Sequence, residues 1–231
     1  MPRVVKEHAV RRGEILDVAQ RLVYTKGYEQ MTIQDMLDDL QISKGAFYHY
    51  FDSKQALLSA LIERMGDQIE QLVLPIVHDP ALPALEKLQR FFAILNRWKI
   101  ARKEFFLSLL RVWYSDDNAI VRQKLLAARV KYLTPWLSVI IRQGIQEGVF
   151  STSYPEQVGE VLLSLTQDLG DILAGLLLSF EPESDNMLRA ERTVAAYTDA
   201  LERVLGVPTG SLCLVDAEIL KEWFFSSRDN L

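Results

Sequence analysis

The 231-residue sequence holds one cysteine, three histidines and no long apolar run free of charge. A single thiol, Cys213, cannot close an intrachain disulfide, and its isolation fits a reducing cytoplasm. His8, His49 and His78 are scattered without ligand spacing, so no metal site is expected. The N-terminus MPRVVKEH lacks the apolar centre of a secretory signal. The most hydrophobic stretch, Val161 to Phe180, is interrupted by Asp168 and Asp171, which argues against a membrane span. Signatures of catalysis are missing too. There is no Ser-His-Asp arrangement, no Gly-rich phosphate loop and no Cys/His cluster, so neither enzyme activity nor a cofactor is expected. The acidic pairs Asp38-Asp39 and Asp116-Asp117 lie at expected helix ends, where they read as solvated or capping. Excess positive charge is also absent. Net charge is −5, which excludes a surface coated in basic groups for unspecific nucleic-acid binding.

What is present is a short, dense stretch from Thr32 to Lys54, TIQDMLDDLQISKGAFYHYFDSK. Thr32 is placed to cap a helix, with Asp35 favouring the positive end. Ile33, Met36, Leu37 and Leu40 then fall on one face of a 3.6-residue period. Ser43 is a second capping signal, followed by room for about two turns to Tyr50. Helices this short are unstable alone and must pack on each other. The arrangement is a helix-turn-helix. In its second helix Lys44, Gly45 and Ala46 occupy the first turn, where small residues let backbone N–H groups approach a phosphate. Phe47, Tyr50 or Phe51 can hold the helix down, leaving Tyr48 and His49 to point outward. In this motif the second helix enters the DNA major groove N-terminus first. The bland alternative is a helical hairpin whose aromatics are all core. Upstream, Arg3, Lys6, Arg11 and Arg12 stand against Glu7 alone, a basic arm that leads into the reading segment.

Taken together, T-x-x-D-x-L and I-S-K-G-A-F-Y-H-Y-F-x-S-K-x-x-L closely resemble the DNA-binding segment of the tetracycline-repressor (TetR) family. The resemblance reaches back through Ile15–Ala19, Tyr24, Gly27 and Tyr28, and covers roughly residues 10–62. Two positions depart from the family pattern: Gln41 stands where glycine is usual at the turn, and Leu37 where a small residue is usual. The resemblance implies an all-α protein, with a three-helix helix-turn-helix bundle over 1–53 and a larger ligand-binding and dimerisation body over 54–231. It implies double-stranded operator DNA, a small-molecule effector and a second copy of the chain as partners, with no membrane. Thr32, Ser43, Lys44, Gly45, Ala46, Tyr48, His49 and Lys54 are the expected DNA contacts. Gln34 and Lys44 are the expected base readers. The function implied is that of a cytoplasmic, ligand-responsive transcriptional regulator, a repressor in the first instance. A helical enzyme or lipid carrier that contains such a hairpin is the competing class.

Along the chain, periodicity and breakers predict helices at about 8–26, 54–74, 84–101, 103–114, 117–147, 155–180, 186–205 and 215–225. Pro75 is expected to end the second of these, Pro135 to kink the helix that contains it, and Pro155 to open the next. Residues 161–178 are apolar around most of the circumference, more than one neighbour covers. The resemblance implies that this helix and 187–205 form a four-helix bundle with a second copy. The alternative is a helix buried within one chain. Trp98, Phe105, Trp113 and Trp136 are the expected aromatic ligand contacts, although aromatics at helical spacing more often build core. Asp168 and Asp171 share a helix face. Paired with Arg97 or Arg111, paired with the partner copy, open to solvent, or turned toward a ligand, they must escape burial as bare charges.

Overall fold

The computed structural model describes residues 8–113, 119–179 and 185–225. Among these are ten helices and no strand. They are α1 (His8–Lys26), α2 (Ile33–Leu40), α3 (Lys44–Tyr48), α4 (Lys54–Val77), α5 (Ala84–Ile100), α6 (Lys103–Trp113), α7 (Ala119–Gln146), α8 (Val158–Leu178), α9 (Asn186–Leu205) and α10 (Ala217–Phe225). The chain divides into two compact units. The first comprises 1–67 with 104–125, and the second 68–103 with 126–231.

In the first unit the apolar stripe of α1 buries Ile15, Leu16, Ala19, Leu22 and Val23. Met36 and Leu37 of α2, Phe47 of α3, and Leu57, Leu58 and Leu61 of α4 add to its core. The capping expected at Thr32 is a reciprocal box. Thr32 Oγ1 accepts from the Asp35 N–H at 3.0 Å, and Asp35 Oδ2 accepts from the Thr32 N–H at 2.9 Å. The turn after α2 uses Gln41 in the left-handed region, φ 51°. The N–H groups of Gln41 and Ile42 both donate to the Leu37 carbonyl, which closes the helix. Ser43 caps α3 by accepting from the Ala46 N–H at 3.2 Å. Salt bridges Arg21–Asp39 at 2.5 Å and Lys26–Asp35 at 2.6 Å tie α1 to α2. Arg64 of α4 reaches α1 through Asp17 at 2.6 Å and the Leu16 carbonyl at 3.3 Å.

The second unit is built on one apolar cluster. Val73 and Val77, Leu88 and Phe91, Leu137, Ile140 and Ile141, Leu162, and Leu201 and Leu205 meet in it. The bend before α5 is fastened by side chains. Glu147 accepts from the Ala84 N–H at 2.9 Å, Gln143 donates to the Leu82 carbonyl at 2.8 Å, and the buried Lys87 ammonium donates to the Val77 carbonyl at 2.8 Å. That last bond places a cation on the C-terminus of α4, where the helix dipole favours one. The segment after α9 folds back along α5. Gln89 and Asn96 donate to the carbonyls of Ser211 and Leu214 at 2.6 and 2.5 Å, and Lys103 donates to that of Glu222. These three donors recur every seven residues, the first two on α5 and the third at the start of α6. Leu220 and Phe224 of α10 then seal a small cluster with Leu176 and Ala190.

Three boundaries differ from the sequence expectation. α4 continues through Pro75 to Val77, because burial of Val73 and Val77 and the Lys87 cap offset the lost backbone bond. α3 stops at Tyr48, and Phe51 rather than Tyr50 is the buried aromatic after it. Pro155 lies in a turn closed by the Gln157 and Val158 N–H groups onto the Tyr154 carbonyl, so α8 opens at Val158 instead. α7 runs through Pro135 as one helix.

Candidate nucleic-acid interface and the helical body

The helix-turn-helix is held from below and open above. Phe47 has no exposure, Met36 none, and Leu37 is 7% exposed, so one face of the pair is fixed in the core. On the other face Thr32, Gln34, Ser43, Lys44, Gly45, Tyr48 and His49 are all exposed, with Ala46 half-buried. The sequence-derived DNA contacts up to His49 are therefore gathered on two short helices and their caps. Lys44 Nζ lies 5.9 Å from the centroid of the Tyr48 ring, so the cation and the phenol occupy one patch. His49 packs edge-on against Tyr50 at 5.2 Å and against His8 of α1 at 5.7 Å. Gln34 Nε2 donates to Asp38 one turn on at 2.7 Å. That exposed bond leaves the amide able to exchange its partner for a base edge.

Lys54 differs from the rest. Its Nζ sits 4.4 Å over the Tyr28 ring and donates to the Glu29 carbonyl at 3.2 Å. Burial pushes its pKa down, opposed by the Glu29 charge. The ammonium is thus held on the bundle, and its reach is restricted by those two contacts. Two residues outside the expected contacts belong beside these, Arg12, read from sequence as part of the basic arm, and Arg64, which sequence reasoning passed over. Arg12 lies 5.3 Å over the Phe51 ring, which brings a cation from α1 to the end of the reading helix. Arg64 sets α1 against α4. Its only signal in sequence is a lone arginine on the apolar pattern of α4.

The expected ligand contacts are dispersed in their surroundings. In the second unit Trp136 is packed in the main core cluster, and Trp98 is buried with Arg102 4.5 Å over its ring. Phe105 belongs to the first unit, 1% exposed, and packs edge-on against Phe106 at 5.9 Å. The side chain of Trp113, like that of Arg111, lies outside the described residues. Asp168 is exposed on α8 and accepts from the Tyr197 hydroxyl of α9, a bond that raises the tyrosine pKa. Asp171 is half-buried and accepts from Gln167 one turn earlier at 3.0 Å.

α8 has the length and composition of a membrane span, with a mean hydropathy of 1.6 in its most apolar window. Only 28% of that window is buried in the single chain. Val161, Ile172 and Leu178 are 41%, 38% and 44% exposed, and the neighbouring α9 adds Leu188 at 44%. This is an apolar face without cover.

Comparison with known proteins bears on both units. Residues 15–61 match the profile of bacterial regulatory proteins of the tetR family, and residues 111–173 match that of a tetracyclin repressor-like C-terminal domain. The chain is similar to the HTH-type transcriptional repressor KstR2 of Mycobacterium tuberculosis, 34% identical over 158 residues, which is 65% of this chain and 74% of that one. It is also similar to the HTH-type transcriptional repressor DhaR of a Mycobacterium species, at 21% identity over 71% of this chain and 79% of the relative. Among solved structures, a TetR transcription regulator from Haloarcula marismortui superposes with a TM-score of 0.63 at 21% identity, over 83% of this chain and 98% of that one. At that identity the likeness concerns the fold.

Proposed function

The chain belongs to the TetR family of bacterial transcriptional regulators, and from that premise we propose that it is a cytoplasmic, dimeric repressor that a small molecule releases from a palindromic operator. The family is one of DNA-binding regulators and not of enzymes. The observation that carries the reading is the exposed patch of Lys44, Tyr48 and His49 on a helix whose opposite face, through Phe47, is locked in the core. Such a helix presents cations and hydrogen-bonding aromatics to a groove without loosening its own packing. Thr32, Ser43, Gly45 and Ala46 position the two helices and let their ends approach phosphates, while Gln34 and Lys44 read base edges. Lys54 acts through the Tyr28 shelf that holds it. The division of labour is reading by 1–53, with pairing and effector binding by 54–231. Pairing is supported by the uncovered apolar face of α8 and its neighbour α9. The Asp168–Tyr197 bond lies on these same helices, which suits that aspartate better to the pairing of copies than to an effector. Effector binding falls to the aromatics of the body, Trp98 and Trp136 among them.

The test begins by selecting bound duplexes from a random pool, which yields an inverted repeat on this reading. Lys44→Ala and Tyr48→Ala are expected to weaken operator binding by about 1–3 kcal/mol each, with unchanged melting temperatures. For wild type, log affinity falls linearly with log salt concentration, with a slope of about −0.9 for each phosphate neutralised. Lys44→Ala reduces that slope. Unchanged affinity in both variants would remove the groove assignment.

A further inference from the structure

Between α7 and the approach to α8 the second unit carries an open groove of about 620 Å³. Val130, Pro135 and Val139 give it an apolar lining, and the two valines are 42% and 38% exposed. Its charges are sorted by helix. Lys131 and Arg142 stand on α7, while Glu156 and Glu160 stand just before and within the first turn of α8. All four are exposed, and among the described residues none of them forms an ion pair. The walls are fixed by close helix contact at Gly159. A Cβ there would lie 3.7 Å from both Ser138 and Thr134 of α7.

A groove with one cationic and one acidic wall that do not neutralise each other is complementary to itself. Under a two-fold axis the cationic wall of one copy meets the acidic wall of the other, and each pair forms twice. The acidic wall also leads directly into the uncovered face of α8. Glu160, Ser164, Asp168 and Ile172 follow at four-residue steps, and all are exposed. We infer that this groove is the flank of the homodimer interface, its occupant a second copy of the chain docked groove to groove. The inference rests on the homodimer reading above and adds to it the element that sets register and partner choice. Apolar contact along α8 and α9 is non-directional, whereas two sorted charge walls penalise every alignment that places like charges together.

Sedimentation velocity on the full chain across the micromolar range tests it, with wild type, Lys131→Glu/Arg142→Glu, Glu156→Lys/Glu160→Lys, and an equal mixture of the two variants. Each variant alone now has a groove of one sign, and its dimer dissociation constant is expected to rise roughly tenfold or more. The mixture is expected to recover a mixed dimer at about wild-type affinity, because an acidic groove then meets a basic one. Both effects shrink as salt is raised. Thermal melts separate lost pairing from lost folding, and Lys131→Gln/Arg142→Gln supplies a milder variant if a reversal fails to fold. Reversal variants that pair like wild type, or a mixture that does not favour the mixed dimer, overturn the groove docking while the homodimer reading stands. A wild-type chain that sediments as a monomer throughout overturns both.

Discussion

Gln41 holds φ 51° and ψ 46° where a residue with a Cβ is strained, and it is the non-glycine residue found at positive φ among the described residues. Its side-chain amide donates to the Asp38 carbonyl at 2.5 Å, an exposed bond of modest net value. Gln41→Gly is therefore expected to stabilise the chain by about 0.5–1 kcal/mol, read as a shift of the denaturant midpoint. A loss of stability would mean that the amide bond outweighs the strain. Six residues earlier, Asp35 joins the capping box to α1. The Lys26 ammonium first, then the Thr32 N–H and hydroxyl, pull its pKa down to about 2. A carboxyl depressed on folding contributes stability that is present above its unfolded value near about 4 and lost as pH falls through 2. Asp35→Asn removes that contribution at neutral pH. Its melting temperature is expected to lie below wild type at pH 7 and to approach it near pH 2. Parallel pH profiles for the two proteins would show that Lys26 does not recognise the charge.

At the level of elements, the glycines that end helices and the glycine that admits a neighbour behave differently. Gly148, at φ 72°, followed by Phe150 is a local signal of a helix stop with its hydrophobic contact. Gly144 is not, because a glycine inside a helical pattern signals only a propensity cost. The structure supplies the reason. A Cβ at Gly144 would lie 2.1 Å from Phe150 Cδ2, so the buried ring closes over the bare backbone of α7. Gly144→Ala is expected to destabilise by about 1–3 kcal/mol despite its better helix propensity. In a Phe150→Leu background the same change should cost much less, and an equal cost in both backgrounds would break the link. The same distinction explains what else was legible. Caps and apolar periods are local, so the start of α2 at Thr32 and the stops of α1 at Gly27 and α9 at Gly206 carry their own signals. Pro155 was misplaced because the chain before α8 closes a turn on the adjacent Tyr154 carbonyl, and Pro75 because its helix end is decided by a partner farther along the chain, the Lys87 cap. The seven-residue spacing of Gln89, Asn96 and Lys103 was invisible for the same reason as Pro75. Its acceptors are carbonyls more than a hundred residues away in sequence. For the proposed DNA-reading site, the exposure of the residues up to His49 follows from the sequence pattern and the restraint on Lys54 does not, since Tyr28 looks like ordinary core until the cation is found over it.

For the whole molecule the decisive quantity is how much apolar surface one chain leaves uncovered. Val161, Ile172 and Leu178 of α8 are exposed, and a single copy buries just 28% of its most apolar window. Charge alone does not direct such a chain to DNA, because the net value is −5. A single reading helix also makes too few contacts for specific binding at physiological salt. On the proposed reading, pairing would remedy both deficits, since it would cover the apolar face and place two reading helices on one duplex. Ile172 is the place to separate pairing from folding. It is 38% exposed on α8, so a charge there is tolerated by the single chain. Ile172→Glu is expected to keep its helical content and to melt close to wild type at concentrations where wild type is dissociated. It should sediment as a monomer at micromolar concentration, where two buried carboxylates would meet near the two-fold axis. Operator affinity should then fall steeply while binding to an isolated half-site is retained, since the reading helix itself is untouched. On wild type, the two half-sites should lie about 34–36 Å apart or a multiple of it, and inserting half a helical turn between them should abolish tight binding. A monomeric Ile172→Glu that still binds the full inverted repeat as tightly as wild type would show that the two reading helices are not coupled through α8.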